Sequence, residues 1–308
     1  MNFTHIRYFL MTAQEASFSR AAERLHITQQ TLSGQIAALE KELGCRLFVR
    51  HVPLELTYGG EVFLGYARTF QEEYRSLLQE FQDISRQEKG RLRLGVAYTR
   101  GHILLPRVLE AFQQRYPLME VEVIEDSNAE LLRQLQEGET DLALAYFPEE
   151  MAGIRTRPYQ KEEICLTVSR DLLEKQYGSQ TEAVLRRLEA EKDPRILAAC
   201  PFLRTDPADL AGYLVLRYLH RLSFQPRLKV KAHNLELLLE MCVAGGGVCF
   251  CPDYLIQGFL KPEQRKLLVE IPLGGSLKYD ICFGWKESRH QWSMLEKFME
   301  CAEKVQER

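Results

Sequence analysis

The sequence predicts an α/β protein of two parts joined by a long helix: a winged helix-turn-helix at residues 1–58 and a two-lobed α/β domain at residues 90–308. Three observations predict this organisation. Short helical patterns fill the beginning of the chain, an apolar repeat runs through residues 59–89, and strand-like and helix-like segments alternate after Gly90.

The bulk composition is that of a globular protein with about two domains. The chain has 308 residues, of which 45% are hydrophobic and 27% charged, and its formal net charge is −3. A negative net charge excludes binding of nucleic acid through a general positive charge of the whole protein, so any DNA contact has to be local. The sequence contains no long apolar run, and polar residues interrupt its N-terminus, so we expect a cytoplasmic protein without signal peptide or membrane span.

Three short helices are predicted before residue 45. The first covers residues 6–13, the second follows Ser17 as N-cap, and the third follows Thr28 as N-cap and ends at Gly44. The third helix buries residues 32, 36, 39 and 43, and a four-residue turn separates it from the second. This layout is a helix-turn-helix. The alternation around Pro53 then predicts a small two-stranded wing.

The long helix is predicted to begin at Thr57 and to run to about Glu88. Its apolar residues follow alternating steps of four and three, which is a heptad seam suited to pairing with a second helix. An ordinary amphipathic helix lying on its own domain is the alternative. The predicted dimerisation residues are Phe63, Phe70, Tyr74, Leu77 and Phe81, with Ala67 and Ile84 in the same repeat.

Beyond Gly90 the strand and helix patterns predict two α/β lobes. Lobe I comprises about residues 90–164 and 269–308, and lobe II about residues 165–268. In parallel α/β sheets ligands bind at the carboxyl ends of strands, so the predicted binding cleft lies between the lobes. Further expectations are helices capped by Asn128 and Asn234, a strand with Tyr279 and Trp285 on one face, and a last helix from about Ser288.

The eight cysteines contain no CxxC pair and no zinc spacing, so no metal site is predicted. Cys249 and Cys251 flank Phe250 and would share one face of a strand. We interpret them as core residues and keep a redox role as the alternative.

The start of the predicted third helix reads TQQTLSGQ, which places amides and hydroxyls on its outward face. Glutamine can pair with adenine through two hydrogen bonds, serine and threonine can bond to bases or phosphate, and a helix N-terminus favours phosphate. The alternative is that these side chains are solvated surface residues that bind no ligand. Arg20 and Arg50 are the cations that the pattern places best for phosphate or minor-groove contact.

The stretch RYFLMTAQEASFSRAAERLHITQQTLSGQIAALEKELGCRLFVR, continued by LELTYGG, closely resembles the signature of LysR-type transcriptional regulators. The segments GRLRLGV, LLPRVLEAFQQRYP, LLRQLQEGETDLALA and VAGGGVCFCPDYL resemble the periplasmic-binding-protein-like sensing domain of that family. The resemblance implies a dimer or tetramer on double-stranded DNA, a small effector between the lobes, and contact with RNA polymerase.

The resemblance also implies roles for individual residues. It assigns DNA contacts to Ser19, Arg20, Thr28, Gln29, Gln30, Thr31, Ser33, Gln35 and Arg50. It assigns effector contacts to Tyr98, Thr99, Arg100, Ser127, Asn128, Phe202, Arg204, Thr205 and Gly246. Two positions depart from the family pattern: Gln30 replaces the usual proline, and Gly34 replaces the usual arginine and loosens the helix by about 1 kcal/mol relative to alanine.

The predicted effector is a small polar or anionic metabolite, because strand ends, helix starts and the two arginines Arg100 and Arg204 suit a carboxylate or phosphate. Both arginines are equally consistent with plain surface charges. No GxSxG, P-loop, HExxH or strand-linked GxGxxG motif is present, so we expect no enzyme and no cofactor. A solute-binding protein without DNA activity is the alternative function.

Overall fold

The structure is a computed structural model that describes residues 1–49, 54–85, 88–148, 151–288 and 290–306. It divides into two compact units. Residues 1–87 with 288–292 form the first unit, and residues 88–287 with 293–308 form the second. Among the described helices, none combines the length and the apolar character that crossing a membrane requires.

The first unit has the predicted order of elements. Its described elements are α1 (Phe3–Glu15), α2 (Phe18–Leu25), α3 (Gln29–Leu43), β1 (Phe48–Val49), β2 (Glu55–Leu56) and α4 (Tyr58–Ile84). The predicted caps are confirmed: the Ser17 and Thr28 side chains accept hydrogen bonds from the backbone N–H groups of Arg20 and Thr31. Gly44 ends α3 in the left-handed region, with φ at 72°.

Several predicted boundaries in this unit were wrong. The turn between α2 and α3 has three residues, 26–28, because His26 itself adopts the left-handed conformation and closes α2. Leu43 is 40% exposed because it lies in the last turn of α3, beyond the contact that buries Leu39. Helix α4 ends at Ile84, and Glu88 is not helical. Helix α1 extends beyond its predicted bounds at both ends.

An aromatic cluster forms the core of the first unit. Phe9 of α1 is fully buried, and its ring centroid lies 5.3 Å from that of Phe48 and 4.7 Å from that of Phe63. Burying each such ring stabilises the unit by about 1.5–3 kcal/mol. Phe63 therefore anchors α4 to its own unit. The prediction that Phe63 belongs to the dimer seam is therefore corrected. The heptad spacing of apolar residues is present in the first turns of α4, but there it packs the helix on α1.

The predicted wing is present as β1 and β2, which pair antiparallel with Phe48 opposite Leu56. Its predicted tip, including Arg50 and Pro53, lies outside the described residues. Gly60 of α4 packs against the base of the wing, where an added Cβ atom would lie 2.1 Å from the carbonyl oxygen of Leu47. Only glycine permits this close approach between helix and wing.

The second unit alternates strands and helices. Its described elements are β3 (Lys89–Val96), α5 (Tyr98–Arg115), β4 (Leu118–Glu125), α6 (Asn128–Gln136), β5 (Leu142–Tyr146), β6 (Ile154–Ser169), α7 (Arg170–Tyr177), α8 (Thr181–Glu191), β7 (Phe202–Thr205), α9 (Leu210–Arg221), β8 (Leu228–Ala232), α10 (Leu235–Val243), β9 (Val248–Pro252), α11 (Asp253–Phe259), α12 (Pro262–Arg265), β10 (Leu268–Pro272), β11 (Lys278–Lys286) and α13 (Ser293–Gln306). Short 3-10 helices lie at Gly178–Gln180, Pro194–Leu197 and Gly275–Leu277.

Two parallel strand groups share one long strand. The strand order is β4-β3-β5-β11-β6-β9-β7-β8, with β10 also paired to β6. Strands β4, β3 and β5 are mutually parallel, as are β9, β7 and β8. Strand β6 runs through both halves and pairs antiparallel with β11, β10 and β9. The sheet is thus mixed, with parallel strand groups at both ends and antiparallel pairs around β6 and β11.

Local chemistry explains most element boundaries in the second unit. Asn234 caps α10 as predicted, through a bond from the Leu237 N–H to its side chain. The cap of α6 is Ser127 and not Asn128, because the Asn128 amide instead bonds in both directions to the backbone of Tyr146. The last helix begins at Ser293, five residues after the predicted Ser288. Tyr279 and Trp285 are buried on the predicted common face of β11.

The described cysteines include a buried group around β6 and β9. Cys165 lies opposite Cys251 in the strand register, and Cys242 and Cys249 are also buried. Burial raises the pKa of Cys165 and of Cys242 to about 12, and the pKa of Cys249 and Cys251 well above the usual value. Because the thiolate is the reactive form of cysteine, this environment favours the interpretation as core residues over a redox role.

Candidate functional sites

The outward face of α3 carries exposed amide and hydroxyl groups. Thr28, Gln29, Gln30 and Thr31 are exposed at its start, while Leu32, Ile36 and Leu39 are fully buried on the opposite side. The helix can therefore present polar side chains to a partner without loss of its own core contacts. Ser33 and Gln35, further along the helix, are partly exposed.

Several of these polar groups already have partners within the first unit. The Thr28 hydroxyl lies 2.8 Å from the Thr31 hydroxyl, and the Ser19 hydroxyl donates to the Gln29 side chain over 3.1 Å. The Gln35 side chain lies 2.9 Å from a ring nitrogen of His5. Such bonds fix the rotamers of the helix face in advance of any contact.

Gln30 differs from its neighbours. Its side chain is exposed and makes no hydrogen bond to any residue in the described part of the chain. The position that departs from the family pattern is therefore the amide with the greatest freedom to reach a base edge.

Arg20 is exposed at the start of α2 and shares a carboxylate with Arg24. Its Nε atom lies 3.6 Å from Glu15 Oε2, and Arg24 Nε lies 3.0 Å from Glu15 Oε1. Two guanidinium groups on one carboxylate leave a net positive charge at this edge of the unit. A DNA phosphate can bind here and neutralise this excess positive charge. Arg50, the predicted wing cation, lies outside the described residues.

An exposed apolar stripe runs along α4 beyond its packed first turns. Tyr74 packs against Phe3, with 4.4 Å between the ring centroids and the rings tilted by 32°, and Phe3 is itself 55% exposed. An apolar stripe of this length on a monomer marks a contact surface. Its members are Phe70, Tyr74, Leu77, Leu78, Phe81 and Ile84, each between 41% and 67% exposed.

A cavity of about 370 Å³ opens in the second unit where four strands end and four helices begin. Strands β3, β4, β7 and β8 lead into it, and helices α5, α6, α9 and α10 start at its wall. Helix N-termini carry partial positive charge and free N–H groups, so the backbone alone favours an anionic group here. The size suits a small metabolite.

Five of the predicted effector residues line this cavity: Tyr98, Thr99, Arg100, Ser127 and Asn128. The arginine is not a free charge. Its guanidinium makes two hydrogen bonds to Glu162, from Nε to Oε1 at 3.0 Å and from Nη2 to Oε2 at 2.9 Å, and it also lies 5.3 Å from the Tyr254 ring centre. Because Glu162 neutralises it, Arg100 contributes orientation and hydrogen bonding more than net charge.

The cavity wall also carries carboxylates that the sequence analysis did not assign to it. Asp126, Asp209 and Glu236 all line it. Asp209 caps α9 by accepting bonds from the N–H groups of Ala211 and Gly212, and burial raises the pKa of its carboxyl group. The sequence could have indicated that Asp209 and Asn234 line the cavity, because both are N-caps of helices that begin where a strand ends.

Four predicted effector residues lie elsewhere. Phe202, Arg204 and Thr205 line a separate cavity of about 30 Å³ beside α9. Gly246 follows the C-terminal end of α10, whereas the large cavity lies at the N-terminal end, about 13 Å away along nine residues. The glycine turn instead folds back so that the Gly246 N–H donates to the Met241 carbonyl oxygen.

A helix-turn-helix with a wing, together with an α/β unit that holds a cavity at its strand ends, defines a DNA-binding regulator with a sensing domain. Two family models agree with this class. Residues 3–61 match the bacterial regulatory helix-turn-helix protein, lysR family, and residues 85–307 match the LysR substrate binding domain. The chain belongs to the LysR family of transcriptional regulators.

Related sequences support the assignment over most or nearly all of the chain. The chain is 30% identical to the uncharacterized HTH-type transcriptional regulator YcgK of Bacillus subtilis, covering 97% of this chain and 93% of that relative. It is 26% identical to AlsR of the same organism, covering 82% and 81%.

Two solved structures show the same fold. A full-length variant of OxyR from Pseudomonas aeruginosa matches with a TM-score of 0.71 and 24% identity, covering 98% of this chain and 94% of the other. Full-length CbnR complexed with its target DNA matches with a TM-score of 0.60 and 22% identity, covering 99% and 100%. The expected family and fold class are thereby confirmed.

Proposed function

We propose that α3 reads a DNA operator in the major groove and that a small effector in the 370 Å³ cavity controls the regulatory output. The observation that carries the first part is the outward polar face of α3, whose amides and hydroxyls are exposed while its apolar residues are fully buried. Support also comes from the related CbnR, which was solved with its target DNA.

The proposal assigns each predicted DNA residue a task. Gln29, Gln30 and Ser33 contact base edges, because they lie on the outward face of α3. Thr28, Thr31, Ser19, Gln35 and Arg20 contact phosphate or hold the reading face in place, and Arg50 of the wing reaches the minor groove. We further propose that the regulator acts on cytoplasmic DNA and contacts RNA polymerase there.

The organisation of the chain supports the same function. We propose a DNA-binding domain at residues 1–58, a linker helix at residues 59–89 and an effector domain from residue 90 onward, with pairing of two chains through α4. The effector contacts come from Tyr98, Thr99, Arg100, Ser127 and Asn128 on the large cavity. Arg204 and Thr205 contact the smaller cavity, where Arg204 Nε and Thr205 Oγ1 are buried without a partner within the described chain.

Selection of bound DNA from a random pool by the full chain tests the DNA part. We expect one enriched motif, and the Gln30→Ala variant should bind it about tenfold or more weakly, since a good base contact contributes about 1–3 kcal/mol of discrimination. Gln14→Ala removes an exposed amide from the end of α1 and serves as the matched control. No enrichment at low salt, or equal binding by Gln30→Ala and wild type, would contradict the proposal.

A further inference from the structure

Glu236 is a buried carboxylate on the wall of the large cavity, and it has no hydrogen-bond partner within the described residues. It is the second residue of α10 and is 7% exposed. Neither Oε1 nor Oε2 has a hydrogen-bond partner anywhere in the described part of the chain. A buried charge without a partner is costly, so its presence on a ligand cavity points to a partner that arrives with the ligand.

The residues that surround Glu236 on the cavity do not supply that partner. The guanidinium of Arg100 is held by Glu162, and the Asn234 side chain is used to cap α10. His233 is exposed, and its Nδ1 atom lies 3.7 Å from Asp206 Oδ2. The remaining charged groups on the wall, Asp126 and Asp209, are acids themselves. The missing positive charge is therefore expected on the effector.

Another part of the cavity wall, the start of α5, suits a negatively charged group. Helices α6, α9 and α10 are capped by the side chains of Ser127, Asp209 and Asn234, but α5 has no side-chain cap. The first N–H groups of a helix have no partner within the helix. At α5 these groups belong to the segment Tyr98 to Arg100 on the cavity wall, and they can bind a carboxylate.

We propose that the effector is a small zwitterion of the amino-acid class, with its ammonium group bound by Glu236 and its carboxylate bound at the start of α5. This inference rests on the proposed role of the cavity as effector site and adds the chemistry of the ligand. It also sharpens the expectation of an anionic effector: an acid that lacks an amino group leaves Glu236 unpartnered and binds more weakly.

Matched ligand pairs test the inference on the full-length protein. Each pair consists of an L-amino acid and the same acid without its amino group: leucine with 4-methylpentanoate, glutamate with glutarate, and phenylalanine with 3-phenylpropanoate. Binding is measured by calorimetry and by the shift in Tm. We expect at least one amino acid to bind at least tenfold more tightly than its partner acid, since hydrogen bonds between charged groups are the strong ones.

The variant Glu236→Gln keeps the shape of the side chain and removes its charge. It should weaken binding of the preferred amino acid at least tenfold and leave binding of the matched acid nearly unchanged. Glu240→Gln, an exposed position on the same helix, is the control and should bind both compounds as the wild type does.

The outcomes separate this inference from the proposed effector site. Equal binding of both members of every pair, abolished by the cavity-filling variant Ala208→Trp, would overturn the zwitterion and leave the effector site in place. Tight amino-acid binding that Glu236→Gln does not weaken would overturn the role of Glu236. Absence of binding by all six compounds would overturn the zwitterion inference and leave the DNA part of the proposed function, which the pool selection tests, unaffected.

Discussion

Arg100 and Glu162 form a buried ion pair that joins α5 to the shared strand β6, with side chains 8% and 1% exposed. The pair has ideal geometry for a guanidinium and a carboxylate, because two parallel hydrogen bonds connect them. Arg100 also lines the 370 Å³ cavity, so the ion pair fixes this part of the cavity wall as well as contributing to the stability of the second unit.

Removal of the Glu162 charge should destabilise the protein strongly. Glu162→Gln leaves the Arg100 guanidinium buried without its counter-charge, which costs about 3–5 kcal/mol in comparable pairs. Urea unfolding of the second unit measures the loss. Glu182→Gln is the control, since its ion pair with Arg170 spans 3.8 Å between exposed side chains and its loss should change stability by less than about 0.5 kcal/mol. Equal midpoints for the two variants would contradict the assigned role of the pair.

The exposed stripe of α4 should hold two chains together. Phe70→Asp or Leu77→Asp places a charge in the middle of the stripe and should shift sedimentation from dimer to monomer, because each buried seam residue contributes about 1.5–3 kcal/mol. Gln79→Asp, on the opposite side of the same helix, introduces the same charge and should leave the dimer intact. If Phe70→Asp sediments as the wild type does, the contact surface lies elsewhere.

Two glycines of the first unit should respond in opposite ways to alanine. Gly60→Ala places a Cβ atom 2.1 Å from the Leu47 carbonyl oxygen and should lower the free energy of unfolding by about 1–3 kcal/mol. At Gly34 the added Cβ would meet no atom of the described residues within 4 Å apart from its chain neighbours and the backbone of its own helix, so Gly34→Ala should raise the free energy of unfolding by about 1 kcal/mol. Thermal unfolding of both variants measures the difference. A lower Tm for Gly34→Ala would show that the helix needs its flexibility.

Acidification should favour the wild type over Asp209→Asn. Burial holds the pKa of the folded Asp209 carboxyl above its ordinary value of 3.8, so the folded state favours the protonated form. The resulting contribution to stability is complete below the unfolded pKa and is lost as the pH rises through the folded pKa. The free energy of unfolding of the wild type, minus that of Asp209→Asn, should therefore increase from about pH 7.5 to about pH 4.5. A constant difference would contradict the raised pKa.

Local chemistry explains which features could be predicted from the sequence. The caps Ser17, Thr28 and Asn234 were predictable because a cap depends on a few neighbouring residues. The cavity residues at the ends of β3 and β4 were predictable because parallel strands bring their carboxyl ends to one edge.

Other features depend on contacts between distant parts of the chain. Glu162 lies 62 positions from Arg100, and no local pattern connects the two. Glu236 looked like an ordinary acid in the first turn of a helix, and only the fold shows that its carboxylate is buried. Phe63 was misassigned because the same spacing of apolar residues continues from the core contact into the exposed stripe, so periodicity alone cannot tell where one ends and the other begins.

Helix α4 continues without interruption from the residue that anchors it in the aromatic core to the stripe proposed to pair two chains. No loop separates the buried anchor from the stripe, so in the proposed dimer the rotational phase of α4 sets the orientation of each DNA-binding domain. One residue inserted after Phe70 would rotate the stripe by about 100° relative to the DNA-binding domain. The two DNA-binding domains of the proposed dimer would then face in the wrong directions. Seven inserted residues would nearly restore the phase and lengthen the spacer by about 10.5 Å. In the proposed dimer, the length of α4 therefore sets the distance between the two DNA-binding domains and with it the spacing of the operator half-sites that they can reach.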